Sequence, residues 1–125
     1  MSNYTAVKID DMHSLHGGAM RLARASLGVS SFGMQVEEFP PGFDQYPAHN
    51  HEHDGQEEVY VVLSGSAQME IDGEHLTLDP ETVVRVGPGA TRSMQAGPEG
   101  VRLLVLGGVP GGVYEAPDFT KPAAA

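Results

Sequence analysis

The stretch "AHNHEHDGQEEVYVVLSG", residues 48–65, joins three histidines at alternate positions to two adjacent glutamates and an apolar run that ends at a glycine. The apolar run "VYVVL" is nearly continuous, which is typical of a strand covered on both faces. The polar half has two interpretations, since it could form the wall of a metal site or a solvated loop ahead of a buried strand. The spacing of its histidines bears on that choice.

The histidines have the spacing of metal ligands on an extended chain. Residues two apart in a strand point to the same face with their Cα atoms roughly 6.5–7 Å apart, so a His-x-His pair can converge on one ion. His51 and His53 satisfy this geometry, and so do His49 and His51. In a straight strand His49 and His53 would be roughly 13 Å apart. One of the three is therefore excluded unless the chain bends.

Glu58 is the expected carboxylate partner of these imidazoles. Asp54-Gly55 predicts a turn, after which Glu58 and Tyr60 share one face of a new strand. If that face is the barrel interior, Glu58 points toward the same space as two histidines. Two nitrogens and one carboxylate oxygen suit Fe, Mn, Ni or Zn and leave positions open for water or a substrate.

The composition narrows the function classes. Seventeen acidic and seven basic residues give a formal charge of −10, which disfavours nucleic acid and membrane surfaces as partners. The chain has no cysteine, so any metal must be held by imidazole and carboxylate groups. It shows neither a signal peptide nor an apolar run of roughly 18 residues. We therefore expect a cytoplasmic protein.

The rest of the chain predicts an all-β fold in one domain, residues 1–125. Sixteen glycines and nine prolines divide the sequence into pieces too short for most amphipathic helices. Residues 66–79, "SAQMEIDGEHLTLD", predict a hairpin with its turn at Asp72-Gly73. Residues 58–65 and 101–108 predict strands in the centre of a sheet.

Other segments carry weaker patterns. Residues 81–100 predict a strand ending in a Gly-Pro-Gly turn, then a short strand and a second turn at Gly97-Pro98. Residues 19–27 could form a short helix, but flanking glycines favour a strand. The tail from residue 108 onward is rich in proline and glycine, so we expect loose packing there.

Several polar residues are expected outside the site. Glu57 neighbours Glu58 on the opposite face, where solvent or a salt bridge is its expected partner. His13 and His16 lie in an unpatterned segment, and His75 alternates with the apolar face of its strand. We expect all three histidines to be exposed.

The first motif resembles that of the cupins, a family of small β-barrels. The family pattern is G-x5-HxH-x3,4-E-x6-G, and His51-Glu52-His53, Glu58 and Gly65 reproduce its inner part at the right spacing. The opening glycine is displaced, since eight residues separate Gly42 from His51 and six separate it from His49. His49 therefore remains an alternative first ligand.

The second cupin motif, G-x5-P-x-G-x2-H-x3-N, falls on residues 81–96 and matches strictly only at Gly89. Arg92 occupies the position of the family's last histidine ligand. The resemblance covers residues 32–107 and implies a jelly-roll β-barrel (double-stranded β-helix), commonly a homodimer, of the small conserved-barrel type. Residues 1–31 would be an N-terminal extension, and residues 108–125 a tail.

Arg92 leaves three interpretations open. It could pair with Glu58 in a metal-free pocket, or hold an anionic substrate beside a metal bound by His51, His53 and Glu58. Alternatively, His49 supplies a third imidazole. Alternation adds ligand-binding candidates on inward faces: Tyr60, Met69 and Gln35 or Met34.

The functional expectation is a protein that binds a small organic molecule in the barrel, next to a divalent metal, with oxygenase or isomerase-type chemistry as its catalytic form. The alternative is a metal-free, non-catalytic binding or sensor module. Cupins include both kinds, so the resemblance does not choose between them.

Overall fold

The computed structural model describes residues 3–122. Strands dominate this part of the chain, which confirms the predicted all-β class. One α-helix, α1, spans Ala23–Leu27 in this part of the chain, and three short 3₁₀ helices span Ile9–Asp11, His16–Gly18 and Asp118–Thr120. The seven strands are β1 (Ser14–Leu15), β2 (Met20–Arg21), β3 (Gly33–Phe39), β4 (Glu57–Ile71), β5 (Glu74–Leu78), β6 (Val83–Val86) and β7 (Arg92–Gly108).

All strand pairs are antiparallel, and the sheet has the order β1-β2-β3-β7-β4-β5, with β6 also paired to β4. The long strands β4 and β7 pair along most of their length. The two apolar runs therefore lie in the centre of the sheet, as predicted.

The predicted hairpin is confirmed. β4 and β5 pair from Ala67↔Leu78 to Ile71↔Glu74. Asp72 and Gly73 connect them with φ values of +49° and +86°. Two consecutive positive φ angles are the signature of the tight type I′ turn, whose twist matches that of the flanking strands.

The turn predicted at Gly97-Pro98 is wrong, because β7 continues through both residues. The register with β4 shifts there, because Ala96 pairs with Ala67 and Val101 with Gly65, so that residues 97–100 bulge out of the pairing. A bulge lets a long strand curve without ending, so the glycine and proline mark a bend within one strand.

Residues 19–27 combine both of the structures considered for them. β2 takes Met20–Arg21, and α1 forms the single turn that follows. Gly28 ends the helix in the left-handed conformation, with its N–H donating to the carbonyls of Arg24 and Ala25. The preference for strand over helix was therefore wrong for residues 23–27.

The expected surface residues lie where predicted. His13, His16 and His75 are exposed. Glu57 is half-buried on the outer face and accepts a hydrogen bond of 2.8 Å from Arg85 Nε. In residues 3–122 no helix is both long enough and apolar enough to span a membrane.

The core lies between the inner faces of the curved sheet. Its buried residues come mainly from β4 and β7. Strand register places the inward residues of β4, β7 and β3 in cross-strand rows, and these rows position the site: Glu58, Gly107 and Gly33; Tyr60, Val105 and Gln35; Val62, Leu103 and Glu37.

Candidate functional site

His49, His51 and Glu58 form one cluster at the end of the barrel. Each offers one ligand atom, and these atoms lie within 4.8 Å of one another. His49 is fixed by a backbone bridge to Arg92, with N–H···O distances of 3.0 and 2.9 Å. The His51 N–H donates to the Pro88 carbonyl at 2.9 Å. Backbone contacts with the segment before β7 thus hold both histidines beside Glu58.

His53 does not join this cluster. Residues 51–55 form a turn in which the His51 carbonyl accepts from the N–H groups of Asp54 and Gly55, at 3.3 and 2.7 Å. The chain is therefore not extended at these residues, as the strand spacing had assumed. His51 and His53 still belong to a second possible metal group with Asp54, whose ligand atoms also lie within 4.8 Å of one another. The His53 side chain is 74% exposed, with Nε2 3.4 Å from Asp54 Oδ2.

His51 lies between two carboxylates. Its Nδ1 is 3.1 Å from Asp54 Oδ1, and its Nε2 is 3.3 Å from Glu58 Oε1. The hydrogen bond to Glu58 raises the pKa of His51 against the opposing effect of burial. Burial alone would raise the pKa of Glu58, but hydrogen bonds from His51 and Tyr60 outweigh it and lower that pKa. Each group of the pair therefore favours the charged form of the other.

Tyr60 and Arg92 hold Glu58 from within the core. The Tyr60 hydroxyl donates to Glu58 Oε1 at 2.7 Å. Arg92 is fully buried, with Nη2 3.5 Å from the same oxygen and Nη1 donating to the Ala90 carbonyl at 3.0 Å. Its side chain points inward, so it lies beside Glu58 and away from solvent. The guanidinium balances the carboxylate charge that would otherwise favour a bound cation.

A cavity of about 610 Å³ adjoins the cluster. The rings of Phe39 and Phe43 stack in its wall with centroids 4.9 Å apart, and Tyr46 meets Phe39 edge-on at 5.7 Å. The N-terminal segment contributes residues such as Leu22 to the wall. The cavity lining is therefore mostly apolar.

The predicted ligand-binding residues divide into two groups. Gln35 lines the cavity. Tyr60 and Met69 are 1% and 0% exposed and belong to the core, and neither they nor Arg92 is among the residues that line the cavity. The side chains of Tyr60 and Arg92 instead contact Glu58, which does line the cavity.

Glu37 is a wall residue that the sequence reasoning missed. It is only 3% exposed, and its Oε2 accepts a hydrogen bond of 2.8 Å from Gln35 Nε2. Burial, assisted by the charge of Glu58, raises the pKa of Glu37 to about 8. The signal was available, because Glu37 lies two residues after Gln35 on the same strand face.

The tail packs more closely than expected. Tyr114 lies against Gly33, where an added Cβ would approach its hydroxyl to 2.8 Å. Tyr114, Pro117 and Phe119 also line the cavity. The tail therefore helps to enclose the site. Residues 123–125, which the same expectation covered, lie outside the described residues.

Comparisons with known proteins identify the fold. A family model described as "Cupin domain" matches residues 35–107. A cupin protein from Bacteroides fragilis is 22% identical with a TM-score of 0.73, covering 100% of this chain and 99% of its own. This likeness confirms the predicted jelly-roll fold.

Two partial matches have printed functions. A chain from the structures of the DMSP lyases RdDddP and RnDddQII is 29% identical, with a TM-score of 0.54, over 62% of this chain and 38% of that one. A putative sugar phosphate isomerase from Acidithiobacillus ferrooxidans is 24% identical, with a TM-score of 0.55, over 67% and 54%. This chain therefore spans about two fifths to half of those chains. No curated protein matches it by sequence.

The family model spans more than half of the chain, and the whole fold is shared with a cupin structure. The protein belongs to the cupin family.

Proposed function

We propose that this cupin holds a divalent metal ion through His49, His51 and Glu58 and binds a small organic molecule in the adjoining cavity. The observation that carries the proposal is the convergence of their three ligand atoms within 4.8 Å. Two imidazoles and one carboxylate suit Fe, Mn, Ni or Zn and leave positions for a substrate oxygen. The donor set therefore fits the metal that the family resemblance implies.

The surrounding residues would hold the metal ligands in position. Asp54 orients the His51 ring through Nδ1, while Tyr60 fixes one carboxylate oxygen of Glu58. A bound metal would act as a Lewis acid on an oxygen of the substrate. The apolar wall would exclude water around it. Oxygenase or isomerase-type reactions fit this arrangement, and the printed isomerase and lyase functions of two similar structures also favour an enzyme.

One observation favours a second function. Arg92 is buried within 3.5 Å of Glu58, where its charge competes with a cation for the same carboxylate. In this alternative, Arg92 and His51 remain the partners of Glu58, and the cavity binds its ligand without a metal. The protein would then be a binding or sensor module.

Elemental analysis separates these functions. The protein is purified without a histidine tag, and metal per chain is measured with and without added Fe, Mn, Ni or Zn. Near-stoichiometric metal that is lost in His49→Ala and His51→Ala, but retained in His53→Ala, supports the metal site. No uptake of any of the four metals contradicts it and favours the alternative.

We also infer that the barrel forms a homodimer through the outer face of β4, β6 and β7. Leu63 and Val83 are 42% and 63% exposed there. Val61 and Leu104 pair beside them and are only half-buried. A second copy of this face would cover all four apolar side chains, which is the usual arrangement of a two-fold interface.

A further inference from the structure

Glu37, a residue of the cavity wall, has a buried carboxyl oxygen without a hydrogen-bond partner among the described residues. The residue is 3% exposed and lies on the inward face of β3. Gln35 occupies one of its oxygens, Oε2. The other, Oε1, has no hydrogen-bond partner in residues 3–122. Buried polar atoms in folded proteins nearly always have a hydrogen-bond partner, so we expect this oxygen to find one outside the chain.

The position of Glu37 relative to the cluster suits a ligand that spans the cavity. Glu37 and Glu58 both line it. In the sheet they lie on either side of β7, where Glu37 pairs with Leu103 and Glu58 pairs with Gly107. The rows are four residues apart, roughly 13 Å along the strand, and β3 and β4 are two strand spacings, about 10 Å, apart; the inward side chains shorten this span. A small molecule can therefore contact both groups at once.

The chemistry of the wall indicates which group Glu37 would bind. With a pKa of about 8, its carboxyl group is mostly neutral at pH 7 and both donates and accepts hydrogen bonds. Arg24 is the lone arginine or lysine among the described residues of the wall, and it donates to the Val29 carbonyl at 3.3 Å. Glu37 itself therefore offers no positive charge to a ligand carboxylate. A hydroxyl or carbonyl group suits this end better.

We propose that Glu37 is a ligand-recognition residue whose Oε1 hydrogen-bonds to an uncharged hydroxyl or carbonyl group of a small molecule with an apolar or planar body. The stacked rings of Phe39 and Phe43 suit such a body. The opposite end of the ligand lies at His49, His51 and Glu58, and this last part rests on the proposed function. The contact with Glu37 itself needs no metal.

A matched pair of probes tests this contact. Benzyl alcohol and toluene share a ring and differ in one hydroxyl group. Their dissociation constants are measured by NMR titration of chelator-treated protein. The variants are Glu37→Leu, which removes both hydrogen-bonding functions, and Glu37→Gln, which keeps a donor and an acceptor. Glu38→Leu is the control, since Glu38 is exposed on the outer face of the same strand.

The preference for benzyl alcohol over toluene should fall about fivefold in Glu37→Leu, the factor expected for one lost hydrogen bond. It should stay within about twofold of wild type in Glu37→Gln and be unchanged in Glu38→Leu. Thermal unfolding checks that the variants are folded. The same preference in Glu37→Leu as in wild type, or no cavity resonance moved by either probe, would overturn the proposal.

A parallel Mn²⁺ titration separates this proposal from the metal site. Glu37→Leu should bind Mn²⁺ as wild type does, because Glu37 is not in the cluster. If the probe result holds and none of Fe, Mn, Ni or Zn binds, the recognition role of Glu37 stands and the metal site is refuted.

Discussion

Replacing Glu37 by glutamine should stabilise the protein by an amount that grows with pH. A carboxyl group with a pKa raised from 4.5 to about 8 binds its proton more tightly in the folded state than in the unfolded state. This tighter proton binding adds to the free energy of unfolding in full below pH 4.5, and the added stability is lost as the pH rises to about 8. Glutamine keeps the shape of the neutral acid and does not titrate.

The size of the effect follows from the shift. The interval between 4.5 and about 8 is roughly 3.5 pH units, each corresponding to about 1.4 kcal/mol. The stability difference between Glu37→Gln and wild type should therefore increase by about 3 kcal/mol between pH 4.5 and pH 7. Above pH 8 it should level off near 5 kcal/mol. Burial of the side chain, at 3% exposure, makes solvent screening small.

Urea unfolding of the chelator-treated protein at half-unit steps from pH 4.5 to 9 measures this difference. Glu38→Gln, at the exposed neighbouring position, should show no comparable slope. A difference between Glu37→Gln and wild type that is constant with pH would refute the reasoning. It would mean that the carboxyl group of Glu37 titrates alike in the folded and unfolded states.

Three further predictions concern the barrel. Gly65→Ala should destabilise the protein by about 2 kcal/mol or more in urea unfolding, because Gly65 has a φ of +76° and an added Cβ would collide with the Gly100 carbonyl. Gly108→Ala, where an added Cβ meets open space, should change little, and equal effects would contradict the argument. Met69→Ala should lower the free energy of unfolding by about 3 kcal/mol, since Met69 is 0% exposed; a change below about 1 kcal/mol would place it outside the core. Light scattering at micromolar concentration should give twice the 13.2 kDa chain mass, falling to the monomer in Val83→Glu, and a wild-type monomer would contradict the proposed dimer.

Local sequence patterns were enough to predict the hairpin turn and the inward face of β4, because both depend only on residues close in sequence. The hairpin at Asp72-Gly73 follows from a two-residue turn between alternating apolar positions. The inward direction of Glu58 and Tyr60 follows from strand alternation, and the structure shows both on the buried face. Each inference required only residues close in sequence.

Features that depend on distant contacts could not be predicted in this way. The choice between His49 and His53 depends on a backbone bridge to Arg92 and on the turn that begins at His51. The burial of Glu37 depends on the N-terminal segment and on the tail around Tyr114, which both line the cavity. In the sequence, Glu37 is one acid in "QVEEF", and alternation alone does not show which positions the chain ends will cover.

Anomalous diffraction from crystals grown with Mn²⁺ is the direct test of the proposed metal site. One strong peak is expected at coordination distance from His49, His51 and Glu58, whose ligand atoms converge. The His53 ring should remain outside that coordination sphere. No peak in the barrel, or a peak held by His51, His53 and Asp54, would contradict the proposed site.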